Sequence, residues 1–311
     1  AGNDLPYDDS LCEQGRNFCN KMWNALRLVT SWEVTSELDL TIRAKNRLSY
    51  DFMKQAINET LIQTESNFDT YRLSENLILI YSLIWDDFCA YYLEMIKPAF
   101  EAPIDSETLK EARELLSDLM IILHPFMPFI SEEIFQNVNA EKEQDCIVST
   151  YPAVIEKNES LQQSFKFFKD FVSQIRDIRN KNGLKQRDIL PVFFEGDHDK
   201  HIALNGFKSL IESIAFVEVK DKNDLIQEQT VTALISTIKI FVELPEGSGN
   251  KSEEREQILE KIKYFEGFVV SLNKKLENQK FVDNAPAEVL EKERKKLADS
   301  LANIVSLKSE L

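Results

Sequence analysis

The 311-residue chain has little glycine, proline, cysteine or histidine: 8, 9, 4 and 3 residues respectively. So little glycine disfavours the α/β nucleotide folds, which consume it in their phosphate loops. Neither G-x-G-x-x-G nor G-x-x-x-x-G-K-[ST] occurs. Cys12, Cys19, Cys89 and Cys146 show no C-x-x-C spacing, and a few unclustered cysteines read as reduced thiols of a cytoplasmic protein. Only His198 and His201 lie close together, in a D-H-D-K-H turn, so no metal site is expected. No apolar run approaches the roughly 20 residues that a membrane span needs. The chain opens on Ala1 with no signal peptide, and A-G-N-D-L-P reads as the middle of a longer protein.

What is present is apolar and helix-forming. Hydrophobic residues make up 43%, which excludes a disordered chain. At roughly 100–200 residues per domain the length suggests two or three domains. Helical spacing predicts a first helix from near Asp9 or Ser10 to Ser31, with Phe18, Met22, Ala25, Leu26 and Val29 inward. A second is expected over about Leu40 to Gln63, burying Leu48, Phe52 and Ala56. A third runs from Ser74 to Ile96, with Leu77, Ile80, Ile84, Phe88 and Met95 inward and Pro98 after it. A fourth opens at Asp105 or Ser106, carries Leu109, Ala112, Leu116, Leu119 and Leu123, and ends at Pro125. Ser131 is expected to cap a short helix. Together, residues 1–152 read as a helix bundle.

Beyond the connector Ile147–Pro152, a helix is expected from Leu161 to Lys181, ended by Gly183. Ile189–Phe194, Ile214–Val219 and Val231–Leu244 are rich in strand-forming residues, with a helix over about Lys200–Ser213. Residues 153–245 thus form a small α+β module. Pro245–Asn250 reads as a linker. In residues 251–311, Ile258, Ile262, Phe265, Val269, Leu272 and Leu276 step by 4, 3, 4, 3, 4, an a/d seam. Leu290, Leu297, Leu301 and Ile304 resume a related pattern, with Arg294 in one seam slot. This predicts an antiparallel coiled-coil hairpin with arms about 35 Å long. The fold class is mainly α: bundle, α+β module, hairpin.

The net charge of −16 argues against indiscriminate phosphate binding, but it is unevenly spread. Residues 101–160 hold 4 basic and 13 acidic side chains, residues 16–54 hold 7 and 4, and residues 166–187 hold 7 and 2. In the last cluster, Lys169, Arg176 and Arg179 can share a helix face and are candidate contacts to a phosphate backbone. On charge alone, a solvated face with ordinary ion pairs is the competing reading.

Candidate chemistry is sparse. Asp86 and Asp87 are adjacent on a helix, point about 100° apart and read as structural. His124 lies among apolar residues and reads as a core or turn histidine, and Trp23, Trp32 and Trp85 as core. No nucleophile elbow, metal pair or phosphate loop is present, which favours a binding protein over an enzyme.

Several stretches then appear together and in order. G-R-N-F-C-N-K-M-W-N-A (15–25) resembles the first anticodon-domain helix of valyl-tRNA synthetases. W-D-D-F-C-A-Y-Y-L-E-M-I-K-P (85–98) resembles a second helix of that family. H-P-F-M-P-F (124–129) is similar to a turn shared with the isoleucyl and leucyl enzymes. Lys275-Leu276-Glu277-Asn278, Phe281-Val282, Ala285-Pro286, Val289 and Glu293 resemble the C-terminal run of valyl enzymes. Isoleucyl enzymes typically end in a cysteine zinc module, which has no counterpart here.

The resemblance implies the tRNA-binding C-terminal part of a bacterial class I synthetase. No H-I-G-H or K-M-S-K-S signature occurs, so the fragment itself is expected to be catalytically inactive and to hold no cofactor. ATP and Mg belong to the parent enzyme, a valine–tRNA ligase. The implied partners are valine tRNA and the protein's own catalytic and editing domains, in a cytoplasmic monomer. For the anticodon loop the resemblance points to Arg16, Asn17, Lys21, Asn24, Arg27 and Leu28. Leu28 stands where the family often has Phe, which replaces a stacking ring with an aliphatic contact. For the outer corner of the tRNA it points to Lys261, Lys263, Lys274, Lys275 and Lys280. The alternatives are a coiled-coil protein-interaction scaffold with no RNA ligand, and the equivalent part of an isoleucyl or leucyl enzyme.

Overall fold

A computed structural model describes residues 7–37, 39–140, 144–195, 204, 206–220, 230–245, 263, 267–269, 272 and 297. The chain divides into two units, Ala1–Asn180 with Lys185–Leu244, and Lys181–Leu184 with Pro245–Leu311.

Helix α1 spans Asp9–Ser31 and buries the expected stripe of Phe18, Met22, Ala25, Leu26 and Val29. The Asp8 carboxylate accepts from the Ser10 N–H and caps it. Helix α2 spans Leu40–Asp69, six residues past the expected end, and is capped by Asp39. Helix α3 is α-helical over Leu73–Ser82, π-helical over Leu83–Tyr92 and α-helical again over Leu93–Ile96. The Leu93 N–H donates to the Phe88 carbonyl, five residues back. Leu77, expected inward, is 38% exposed. Asn76 takes the inward position instead, its amide donating to the Thr64 carbonyl at 3.1 Å, with Ile80 and Ile84 below it.

Helix α4 spans Ser106–Leu123, capped by Asp105, and α5 spans Pro128–Val138. Ser131 does not cap α5; proline occupies its first turn, and Ser131 lies buried inside it, donating to the Met127 carbonyl. Val34–Thr35 (β1) and Ile104–Asp105 (β2) pair in parallel and tie the loop after α1 to the start of α4.

Helix α6 spans Glu159–Lys181 and is buried on two sides. Toward the bundle, Phe165 stacks on Phe52 at 5.1 Å and Phe168 meets Tyr91 edge-on at 5.8 Å. Phe167 stacks on Phe207, in the helix Phe207–Ala215, and toward the second layer Phe171 stacks on Phe194. That layer is a four-stranded sheet of order β4-β3-β6-β5, built from Leu190–Glu195 (β3), Val217–Val219 (β4), Thr230–Ile235 (β5) and Ile238–Glu243 (β6). β3 and β4 are parallel; β6 is antiparallel to β3 and β5. The expected strand 214–219 is shorter because Ile214 and Ala215 complete helix α7, Phe207–Ala215. The run 231–244 is a hairpin, reversed at Ser236 with φ 55°. Gly206 admits α7 to the bundle: at φ +87° a β-carbon there would lie 2.7 Å from the backbone of Ala44 and Lys45.

In the second unit, Lys263, Gly267–Val269, Leu272 and Leu297 are helical. Leu272 is buried and Val269 half-buried, as their seam positions predict, while Lys263 is exposed. The rest of the expected hairpin, including Lys261, Lys274, Lys275 and Lys280, lies outside the described residues, as does the turn of His198 and His201.

Among the described residues, the charged side chains of Glu111 and Arg179 are buried. Arg179 is 2% exposed, and its guanidinium donates to the carbonyls of Lys185, Ala215 and Phe216 at 2.8–2.9 Å. The Ala215 and Phe216 carbonyls lie at the end of α7 and the Lys185 carbonyl in the turn after α6, so one side chain joins the segments that lead into β3 and β4; the Phe216 carbonyl also accepts from the Leu190 N–H. Arg179→Met, which keeps the stem and removes the donors, should lower the unfolding free energy by about 3 kcal/mol in urea denaturation. Arg176→Met, on the exposed side of the same helix, should change it by no more than about 0.5 kcal/mol.

Candidate functional site

The outer face of α1 is set by what its inner face must bury. At about 100° per residue, Arg16, Asn17, Lys21, Asn24 and Arg27 fall within an arc of about 140° opposite the apolar stripe. Arg16, Asn17, Asn24 and Arg27 are exposed. Arg16 lies 3.7 Å from Glu13, and both side chains are largely solvated. Such an exposed pair holds its partners weakly and leaves the guanidinium available. Lys21, at the edge of the arc, is half-buried. Leu28 packs partly against the bundle core, so only part of its side chain is open to a ligand.

Lys21 is positioned by aromatic residues whose role the sequence did not reveal. Phe18, Tyr81 and Trp85 form a column: Phe18 and Tyr81 centroids lie 4.7 Å apart, and Tyr81 stacks on Trp85 at 5.5 Å. The Lys21 ammonium lies 4.1 Å from the centroid of the Trp85 ring. Trp85 sits in the π-helical stretch of α3, and neither it nor Trp32 is fully buried. Trp23, expected in the core, is 37% exposed. It steps off the α1 stripe because Met22 takes the inward position.

Other cations in the basic stretches are engaged within the fold. The Arg43 guanidinium donates to both oxygens of Glu111, at 2.6 and 2.8 Å, and Arg47 adds a bond at 2.9 Å. Lys54 bridges Glu114 and Asp118. Burial pushes the Lys45 ammonium below its usual pKa. Of the seven cations in residues 16–54, three therefore neutralise the acidic stretch 101–160, and the exposed ones on α1 face outward. In the cluster 166–187, Lys169 donates to Asp87 at 2.9 Å. Burial raises the Asp87 carboxyl above its usual range, and Lys169 offsets only part of that cost. The expectation that Arg179 contacts a phosphate backbone is corrected: its guanidinium is enclosed by protein carbonyls. Arg176 is exposed. Lys169, Arg176 and Arg179 therefore do not form one solvent-facing stripe.

At the far end of α4, the sequence reading missed the surroundings of His124. Its Nδ1 lies 2.9 Å from the Ser131 hydroxyl, which is seven residues away and hidden by the turn between them. Glu132 accepts from the Cys146 N–H and from Gln136. Burial raises the Glu132 carboxyl, but these bonds outweigh it and hold the group below its usual range. Burial, then the nearby Glu132 charge, pushes the Cys146 thiol up to about 12.

Comparison with known families places these elements. Residues 52–193 match the family described as the anticodon-binding domain of tRNA ligase. Residues 252–311 match the family described as the valyl tRNA synthetase tRNA binding arm. The chain is 38% identical to a valine–tRNA ligase of Bacteroides thetaiotaomicron and 36% identical to one of Parabacteroides distasonis, along its whole length in each case. It is 28% identical, over 95% of its length, to one of Clostridium perfringens.

The chain belongs to the valyl-tRNA synthetase family. It spans about a third of the length of these curated relatives: 35%, 35% and 34%. Within the chain, helix α1 precedes the matched anticodon-binding segment in sequence and packs on it through Phe18, Tyr81 and Trp85. Because Lys21 rests on the ring face at a partly exposed site, its contact adds about 0.5–1 kcal/mol to stability. Lys21→Ala should therefore lower the unfolding free energy by no more than about 1 kcal/mol in urea denaturation, so that its effect on ligand binding can be read separately.

Proposed function

We propose that this chain is the tRNA-recognition part of a valine–tRNA ligase, with the exposed arc of α1 reading the anticodon loop. The observation that carries this reading is the sorting of charge. Arg16, Lys21 and Arg27 lie on the outward arc of one rigid helix with two amides, while neighbouring cations are consumed by internal pairs. An anticodon loop is single-stranded, so its bases can be splayed and read on their edges by amides such as Asn17 and Asn24. The cations then meet the flanking phosphates. Leu28 offers an aliphatic contact to a base. Arg176 is proposed to approach the tRNA backbone; Lys169 would do so only by releasing Asp87. Lys263, with Lys261, Lys274, Lys275 and Lys280, is proposed to meet the outer corner.

Selectivity for valine tRNA is part of the proposal and is favoured by the family description of the terminal arm. The full enzyme is proposed to valylate tRNA in the cytoplasm as a monomer, using ATP and Mg. Among the described residues no helix is long and apolar enough to cross a membrane. The sequence has no glycine-rich phosphate loop and no H-I-G-H or K-M-S-K-S motif, so ATP is proposed to bind in the catalytic part of the full enzyme. The role proposed for this chain contains no chemical step.

Filter binding at several salt concentrations tests the reading. Valine tRNA should bind more tightly than an anticodon-swapped variant, and Asn17→Ala or Asn24→Ala should narrow that ratio. Lys21→Ala should weaken binding by about tenfold and reduce the salt slope by about one unit. Lys110→Ala, on the exposed face of the acidic helix α4, should stay within about twofold of wild type. Equal affinity for the two tRNAs would sink the anticodon assignment. No tRNA affinity, with a stable protein partner in its place, would favour the interaction-scaffold reading.

A further inference from the structure

We propose that His124, Glu132 and Cys146 form a binding site for a divalent zinc-class ion that clips the end of α4 to α5 and to the following connector. A His124 ring nitrogen, a Glu132 carboxylate oxygen and the Cys146 sulfur lie within 4.8 Å of one another. They come from three separate elements: His124 caps the C-terminus of α4, Glu132 lies in α5, and Cys146 opens a short 3₁₀ turn, Cys146–Val148. Separations of 8 and 14 residues match no familiar ligand motif, which is why spacing alone gives no sign of the cluster.

The surroundings orient the histidine and carboxylate donors, and the thiol loses its proton only as the ion binds. The Ser131 hydroxyl has one proton, and it goes to the Met127 carbonyl at 2.8 Å. With the Ser131 proton on the Met127 carbonyl, the hydroxyl is placed to accept from an Nδ1–H tautomer of His124, which leaves the Nε2 lone pair for an ion. This is the outer hydrogen bond that metal-bound histidines characteristically make. Gln136 and the Cys146 N–H orient the Glu132 carboxylate while leaving lone pairs free. The Cys146 residue is 2% exposed, so its sulfur meets outside reagents only through local opening, whereas His124 and Glu132 are half-buried and give an ion a route in.

Nitrogen, oxygen and sulfur donors together suit zinc better than magnesium or calcium, which prefer all-oxygen shells. With bonds of about 2.0–2.3 Å, ligands on a tetrahedral ion lie roughly 3–4 Å apart. The triangle therefore needs to contract by only about 1 Å, within the reach of side-chain rotation. Three protein ligands leave the fourth position to water. Binding releases the thiol proton to solvent as the metal–sulfur bond forms, with no change of oxidation state.

The test uses the whole chain, reduced and freed of metal by a chelator, and titrated with Co²⁺ and then Zn²⁺. One equivalent of Co²⁺ should give ligand-field bands and a near-ultraviolet thiolate-to-cobalt charge-transfer band, both abolished by Zn²⁺. A variant with Cys12, Cys19 and Cys89 all changed to Ser should keep that band, and Cys146→Ala should lose it. Zinc should also slow the reaction of the remaining thiol in the triple variant with a disulfide reagent, a readout that does not depend on Cys146→Ala folding. No thiolate band in wild type, a band that survives Cys146→Ala, or equal thiol reactivity with and without zinc would each overturn the site.

Discussion

The clamp of Arg43 and Arg47 on Glu111 decides which of this protein's charges face outward. Helices α2 and α4 run against each other with a carboxylate on one and two guanidiniums on the other, and the central pair is largely shielded from water. Removing one partner from such a pair leaves a charge that has lost its hydration, at a cost of about 3–5 kcal/mol. The cations of α2 are thereby committed to the acidic helix, and Lys54 extends the same zipper to Glu114 and Asp118. The acidic excess of residues 101–160 is in part a set of internal partners. The exposed cations of α1 have no such commitment.

The same sorting occurs around α6. Buried aromatic residues on two sides of one helix narrow its solvent-facing strip, so polar side chains set between them must find protein partners. Lys169 finds Asp87, and Arg179 finds three backbone carbonyls. A count of charges along the chain treats Arg176 and Arg179 alike. In the fold, one is solvated and the other is buried, joining the end of α7 to the turn after α6.

Much of the architecture was legible in sequence because helical burial is local and periodic. The α1 stripe, the Asp105 cap and the apolar run of α4 follow from spacing and capping chemistry alone. The legible part of the site was likewise local: the outward residues of α1 are those left over once its apolar positions are placed. The differences arise where a distant group intervenes. Asn76 takes the inward position in place of Leu77 because its amide reaches the Thr64 carbonyl of α2. Ser131 serves His124 across a turn rather than capping a helix. The π-helical stretch that places Trp85 under Lys21 alters the backbone register without changing any residue type.

By itself, then, the sequence determined the helix-rich class, the apolar faces, the absence of a phosphate loop and the family resemblance, because these depend on residue identity and short spacing. Tertiary structure alone decided which cations remain available, which aromatic residue supports Lys21, and that His124, Glu132 and Cys146 meet. Those outcomes depend on distances between side chains far apart in the chain. Electrostatic and hydrogen-bonding energies fall steeply with such distances, and periodicity along the sequence carries no record of them.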